Sequence, residues 1–179
     1  MNQIKNKIMK KTLLIIVLAL MAGTELFAQA TATATATATI ISPITLTKDV
    51  DMNFGNLAVN ANPGTVLLTA AAAPTRTAGG GVTLSVTTPG TVTAAKFTVG
   101  GAANFTYAIT LPVGATTIDD NDSHTMTVDT WTSLPSGTGT IGVGGTQDLY
   151  VGATLNVAGS QTPGIYVSDT PFSVTVNYN

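Results

Sequence analysis

The sequence contains no cysteine, so a domain built from it is held by packing and strand pairing without disulfides. Charged residues make up only 9% of the chain, whereas 44% of its residues are hydrophobic, which is too many for a solvated coil. Strong helix formers other than alanine and leucine are scarce, and no window beyond residue 30 shows the 3.6-residue periodicity of an amphipathic helix. Threonine and valine, which suit a pleated surface, are abundant. The sequence therefore indicates an all-β domain.

The first thirty residues have the features of a cleavable signal peptide. Four lysines between positions 5 and 11 precede the apolar run Leu13–Ala22, and the segment ends in Ala28-Gln29-Ala30, a small-residue motif that signal peptidase accepts. The run is about half the roughly 20 residues that a spanning helix needs. We therefore predict cleavage after Ala30, or at Gln29 or a nearby residue. The expected location is the cell surface, the extracellular space or the periplasm, with no membrane span in the mature chain.

Cleavage after position 30 leaves 149 residues, enough for one compact domain, 31–179. Three basic side chains, Lys48, Arg76 and Lys96, stand against eight aspartates, which gives a formal charge of −5. Nucleic-acid binding requires clustered cations that displace the counterions of phosphates. Scattered basic residues in an acidic domain therefore argue against nucleic acid and against an anionic membrane surface as partners.

Period-two alternation of apolar and polar residues recurs between clusters of Gly, Pro and Asn. It predicts clear strands in segments 31–41, 82–86, 105–111, 149–157 and 172–178, and weaker ones near 44–48, 52–57, 65–69, 96–100 and 125–132. Turns are predicted at motifs that include Asn62-Pro63-Gly64 and Gly79-Gly80-Gly81. Such a pattern is typical of antiparallel sheets with one face in water, and predicts a two-sheet sandwich, with a closed barrel as the alternative.

The segment 31–39 alternates threonine and alanine strictly and continues into Ile40 and Ile41. We call residues 31–39 the Thr-Ala tract. As a strand it is uncharged and free of proline, so it could form an edge strand of its own domain or add to a sheet of another subunit. A linker is the third interpretation. An ice-binding threonine ladder would require rows on several neighbouring strands, and the sequence has only one.

Catalytic chemistry has little support in the sequence. His124, the single histidine, follows Ser123, and Asp122 or Asp129 could complete a Ser-His-Asp set. A triad gathers its groups from separate elements around an exposed nucleophile, and here they lie in one segment without a G-x-S-x-G motif. A surface histidine entering a strand is the simpler interpretation. We predict no enzyme activity, no catalytic or cofactor-binding residue and no cofactor.

Two kinds of ligand site remain to be weighed. The cluster Asp119-Asp120-Asn121-Asp122 offers hard oxygens for calcium but lacks the spaced ligands of a calcium loop, so a solvated turn is the simpler interpretation and no metal site is assigned. For sugar stacking the candidates are Trp131, Tyr150 and Tyr166. Alternation places Trp131 on the Thr127 face, so we expect its ring to be exposed. A carbohydrate platform usually needs several coplanar rings.

A series of short motifs resembles the bacterial exported family known as domain of unknown function 4402. The motifs are Met52-Asn53-Phe54-Gly55-Asn56, Phe97-Thr98-Val99, Tyr107–Pro112, Met126–Asp129, Val151–Val157, Pro163-Gly164-Ile165-Tyr166 and Phe172–Tyr178. They span nearly all of the predicted mature chain. The family name implies no activity.

A more distant resemblance is to spore coat protein U and to chaperone–usher fimbrial subunits, through the early Asn-Phe-Gly-Asn motif, the late Pro-Gly-x-Tyr motif and the penultimate Tyr178. It implies an immunoglobulin-like antiparallel β-sandwich in which the Thr-Ala tract takes the place of a donor strand. The tract departs from fimbrial donor strands because alanine fills pockets poorly, and fimbrial cysteines are missing.

These features lead to two functional hypotheses. The first is a non-enzymatic structural or adhesive module of the cell surface, a fimbria-like subunit that binds copies of itself or related surface proteins through residues 31–41. The alternative is a monomeric secreted module that binds a glycan or calcium.

Overall fold

The computed structural model describes residues 2–21 and 29–179, and the chain divides into two compact units, residues 1–39 and 40–179. In the first unit, Asn2–Met21 form helix α1, which contains the lysines and most of the apolar run of the predicted signal peptide. No described helix combines the length and the apolar character needed to cross a membrane. The predicted cleavage motif begins at Ala28, which lies outside the described residues.

The second unit is built from strands that pair antiparallel throughout. The strands are β1 (Thr45–Val50), β2 (Leu57–Leu68), β3 (Arg76–Leu84), β4 (Ala95–Gly100), β5 (Thr106–Thr110), β6 (Thr116–Asp119), β7 (Thr125–Leu134), β8 (Thr138–Thr140), β9 (Thr146–Val157) and β10 (Thr175–Tyr178). This confirms the prediction of an all-β domain.

Strand β9 is the centre of the larger, seven-stranded sheet. Residues 146–151 pair with β4, and residues 153–157 pair with β2. Strand β7 pairs with residues 150–156, and it must use the opposite edge because residues 153–156 already face β2. The predicted strand 149–157 thus forms most of the central strand β9, and its inward side chains lie in the centre of the sheet.

The smaller sheet has the order β10-β5-β8 and packs on one half of the larger sheet. The shared core contains Tyr107 of β5, Val176 of β10, and Val99 and Leu149 of the larger sheet. Burial of an aliphatic side chain such as Leu149 contributes about 1.5–3 kcal/mol. Two antiparallel sheets that enclose a common core confirm the predicted sandwich.

A second core lies against the other half of the larger sheet. It contains Val66, Val128 and Leu155, and it is flanked by partly buried side chains of loops, among them Phe54 and Tyr166. Loops rather than a second layer of strands therefore cover this half.

Two predicted turns and one predicted strand were wrong. The motifs Asn62-Pro63-Gly64 and Gly79-Gly80-Gly81 lie inside β2 and β3 and face each other, with Gly64 paired to Gly80. Glycine is needed there for the close approach of two backbones, because a Cβ on Gly64 would lie 2.3 Å from the carbonyl oxygen of Gly79. Segment 52–57 forms only an isolated bridge, Asn53 with Thr93, before β2 begins.

The first and the last predicted strands also differ from the strands in the structure. Residues 31–41 are exposed and belong to no strand, because the first strand begins at Thr45. The Thr-Ala tract is thus not an edge strand of its own sheets in this structure. The last strand covers only Thr175–Tyr178 of the predicted 172–178, because its partner β5 ends just before Pro112, which has no N–H to donate.

Candidate functional site

A cluster of charged side chains lies on the larger sheet where β1, β4 and β9 are adjacent. The Lys96 ammonium is 3.1 Å from the Asp148 carboxylate and 3.9 Å from that of Asp49. The Thr98 hydroxyl donates a hydrogen bond to Asp49 at 2.7 Å, and the Tyr150 hydroxyl donates one to Asp148 at 3.1 Å. The cluster therefore joins three neighbouring strands.

The charges of this cluster attract one another across neighbouring strands. The hydrogen bond to Asp148 raises the pKa of Lys96, and the charges of Asp148 and Asp49 add to the effect. Partial burial raises the pKa of Tyr150, and its bond to Asp148 raises it further. Lys96 therefore stays protonated at neutral pH and forms ion pairs with Asp148 of β9 and Asp49 of β1. Partly exposed pairs of this kind contribute little to stability.

Asp120 organises the turn that contains the single histidine. Its Oδ2 atom is 2.7 Å from Nδ1 of His124, and its Oδ1 atom accepts the backbone N–H groups of Asp122 and His124. Asp129 instead accepts a hydrogen bond from Thr130. Both oxygens of Asp120 are thus used inside the turn, and the Ser-His-Asp set weighed from the sequence is not assembled, because no described hydrogen bond links Ser123 to His124.

The same turn uses side-chain oxygens of Asp119 and Asp120, two of the residues considered for calcium. Asp119 accepts the backbone N–H of Asn121 at 3.0 Å. A shallow recess of about 330 Å³ beside the turn is lined by Asp119 and Asp169 together with threonines. Among the residues that the structure describes, no three acidic or histidine side chains are placed to share a metal ion.

The prediction that the Trp131 ring is exposed was wrong, because the ring is partly buried. The register of β7 shifts between Asp129 and Thr132, where Thr130 has a φ of 52°, and this bulge turns Trp131 off the Thr127 face. Its ring lies 4.5 Å from that of Phe172, and its Nε1 donates to the Gly114 carbonyl at 3.0 Å. Trp131 therefore packs against both cores of the sandwich.

The two tyrosines weighed with it lie apart. The hydroxyl of Tyr166 donates to the Thr162 carbonyl at 2.7 Å and accepts a hydrogen bond from Gln161, while its side chain packs on the second core. Tyr150 belongs to the charged cluster on the outer face. The structure therefore does not bring the three rings together as one platform.

An arginine that sequence reasoning did not single out holds the Asn-Phe-Gly-Asn motif. Nη1 of Arg76 donates to the carbonyls of Phe54 at 2.6 Å and Asn56 at 3.0 Å. Gly55 has a φ of 68°. The motif is thus a tight loop fastened to β3, and its Gly satisfies a left-handed conformation that other residues adopt poorly.

Tyr178 joins the last strand to the segment that leads into the first. Its hydroxyl donates to the Ser42 carbonyl at 2.9 Å and accepts the backbone N–H of Ala102 at 2.7 Å. Its ring also contacts that of Phe105 edge to face. The start of the β unit is therefore fixed beside the end of β10. The inward register of Tyr178 was foreseeable from the alternation, whereas the hydrogen-bond partners of its hydroxyl were not.

The residues just before β10 continue its alternation without backbone pairing. Phe172 and Val174 are partly buried against the shared core, and Ser173 between them is exposed. None of the three takes part in a described backbone hydrogen bond. Residues 172–178 thus alternate as one strand, although only the last four are paired, and only on one side.

Together these features define an antiparallel β-sandwich in which several charged groups make internal contacts and whose last strand presents an open edge. Residues 44–178 match the family described as "Domain of unknown function (DUF4402)". Because the match covers well over half of the chain, the protein belongs to that family. Comparisons with curated proteins and with solved structures gave no match.

Proposed function

We propose that this protein is an exported, non-enzymatic structural or adhesive module of the cell surface, which assembles like a fimbrial subunit through strand addition. The observation that carries the proposal is the exposed Thr-Ala tract, which alternates like a strand but pairs with neither sheet of its own domain. An uncharged extended segment of this kind can pair with an unoccupied sheet edge of another chain.

The described polar groups support a structural role. Lys96 is engaged with Asp49 and Asp148, and Asp120 with the turn around His124. These contacts join neighbouring strands or close a turn. These polar groups thus support a role for the β unit as a structural module.

Export is the second part of the proposal. The lysine-rich and apolar start of the sequence has the order of a secretory signal, and the absence of cysteine permits folding in any redox environment. Cleavage after Ala30 would place the Thr-Ala tract at the new N-terminus. The distant resemblance to fimbrial subunits and spore coat protein U, and with it the immunoglobulin-like type of sandwich, belongs to this proposal.

Comparison of two chains by sedimentation velocity tests the assembly. Residues 31–179 should form oligomers whose share rises with concentration, whereas residues 40–179, the compact β unit, should remain monomeric. A matched control keeps the tract but carries Ala34→Pro and Ala36→Pro, which remove two N–H groups that pairing needs. This control should also be monomeric. A chain 31–179 that stays monomeric at every concentration contradicts the proposal.

The alternative, a monomeric glycan- or calcium-binding module, is not favoured by the contacts. One ring face of Trp131 is covered by Phe172, and both oxygens of Asp120 bind groups of its own turn. A glycan array with a Trp131→Ala control, and calorimetric titration with calcium chloride, test this alternative directly.

A further inference from the structure

We propose that the open edge of residues 172–178 receives the Thr-Ala tract of a second copy of this chain. The inference rests on the proposed function and adds the acceptor to it. We call residues 172–178 the acceptor edge. Their inward side chains, Phe172, Val174, Val176 and Tyr178, all pack on the shared core, so the segment alternates like a strand over seven residues, of which the last four form β10.

The direction of the backbone groups shows which of them are free. The N–H of Ile109 in β5 donates to Gly137, on the side of β8. Its neighbour Ala108 therefore faces β10, where it pairs with Asn177. Because successive residues of a strand point their N–H and C=O groups to opposite sides, Val176 and Tyr178 direct theirs to the open edge. The same alternation extends to Val174.

The larger sheet offers poorer edges. In β1 the register shifts at Asp49, and Lys48 forms an ion pair with Asp51 beside that shift, so the edge is both bulged and charged. Strand β3 is long enough, but Gly80 has a φ of 65° and interrupts the extended backbone at its centre. A guest strand would lose its register at either position.

The short strands are also unsuitable. Strand β6 has four residues, and the N–H and C=O of Asp119 at its end already bind Val167. Strand β8 has three residues and follows Gly137, whose φ is 69°. Of the edges in the described part of the chain, the acceptor edge alone is uncharged and continues the alternation of its paired strand, β10, over seven residues.

The side chains of tract and acceptor edge are compatible. Phe172, Val174 and Tyr178 are only partly buried, so the apolar strip beside the edge is shallow. Ile44, which precedes β1, and Leu46 of β1 pack on the same core. Alanine adds little volume and would cover a shallow strip without a clash, while the alternating threonines would face water. The small alanine side chains fill deep pockets poorly, but they suit this shallow strip.

A second copy is a better source of the tract than the same chain. Tyr178 binds Ser42, so the residue three positions after the chain's own tract is fixed at the end of β10. Pairing along its own acceptor edge would therefore run parallel, whereas the tract of another copy can enter antiparallel. Antiparallel pairing is slightly more stable per residue.

Disulfide trapping tests the assignment, since the natural chain has no cysteine to interfere. Chains 31–179 carrying Thr33→Cys, Thr35→Cys or Thr37→Cys in the tract are mixed with a chain carrying Thr175→Cys on the acceptor edge. Thr83→Cys on the edge strand β3 is the matched control, since Thr83 and Thr175 are both exposed. Neighbouring strands place Cα atoms within the 4.4–6.8 Å of a disulfide, so we expect about tenfold more heterodimer with Thr175→Cys than with Thr83→Cys.

Each outcome has a distinct meaning. Heterodimers trapped mainly through Thr175→Cys support the assignment. Oligomers that cross-link equally or better through Thr83→Cys overturn the acceptor edge but leave strand addition standing. A doubly substituted chain, Thr35→Cys with Thr175→Cys, that closes on itself as a monomer overturns the second copy as donor. Absence of oligomers before oxidation contradicts the proposed function itself, and thermal melting of each variant confirms that it is folded.

Discussion

The hydroxyl of Tyr178 donates a hydrogen bond to the carbonyl of Ser42, 2.9 Å away and 136 positions earlier in the chain. The bond closes the β unit by joining its last strand to the residues that precede its first. In the sequence, only Ile40 and Ile41 lie between Ser42 and the Thr-Ala tract. Loss of the hydrogen bond should loosen the start of the unit before the rest.

Tyr178→Phe removes both hydrogen bonds of the hydroxyl, to Ser42 and to Ala102, while it keeps the ring. We expect the free energy of unfolding to fall by about 1–3 kcal/mol, since each bond contributes about 0.5–1.5 kcal/mol. Urea unfolding measures this change. Hydrogen exchange at the amides of Ile44 and Thr45 should accelerate more than at β9. An equal acceleration of exchange in both places would show that the hydroxyl does not hold this segment.

Arg76→Met keeps an apolar stem but removes the two bonds to the loop at Phe54 and Asn56. Because the donor is charged and partly buried, we expect a loss of about 1.5–3 kcal/mol in urea unfolding. Lys48→Met is the matched control, since Lys48 is exposed and its ion pair with Asp51 should contribute under about 1 kcal/mol. Similar decreases in the free energy of unfolding of the two variants would show that Arg76 does not stabilise the loop.

Gly64→Ala tests the close approach of β2 and β3. The added methyl group would lie 2.3 Å from the Gly79 carbonyl oxygen and 2.8 Å from the N atoms of Gly81 and Val82, all of them backbone atoms. We expect a loss of about 1–3 kcal/mol, the usual cost of overpacking. Gly114→Ala, where nothing lies within 4 Å of the new methyl group, should change stability little. Thermal unfolding compares them, and equal melting temperatures would exclude a packing role for Gly64.

Local alternation predicted much of the fold because it directly reflects which side chains face the core. The segment 149–157 is the best example, since it forms most of the central strand β9. Glycine gave misleading signals, because the residue that permits a turn also permits two backbones to touch. The pairing of Gly64 with Gly80 depends on the register between β2 and β3, which no local window contains.

The functional candidates were less predictable for the same reason. Lys96, Asp49 and Asp148 lie far apart in the sequence and meet only because β1, β4 and β9 are neighbours. The orientation of Trp131 depends on a bulge at Thr130, a β-branched residue that rarely adopts a positive φ. Strand order and bulges are properties of the whole sheet, so alternation alone could not supply them.

The turn at Asp120 should make stability depend on pH in acid. Burial of the Asp120 carboxylate opposes its charge, but the backbone N–H of Asp122 and the side chain and N–H of His124 outweigh that effect and lower its pKa below the usual 3.8. The unfolded chain therefore binds a proton at a higher pH than the folded chain. The stability that this carboxylate contributes is fully present above about pH 3.8 and is lost as pH falls through the lowered value.

Asp120→Asn removes this dependence and should be less stable than the natural chain at pH 5, because an amide oxygen is a weaker acceptor for three N–H groups. The gap between the melting temperatures of the two chains should narrow between pH 5 and pH 2, as the natural carboxylate becomes protonated. Asp51→Asn is the control, since that carboxylate is 80% exposed and pairs only with Lys48. A gap for Asp120→Asn that stays constant over this range would show that its carboxylate is not held in the charged form by the turn.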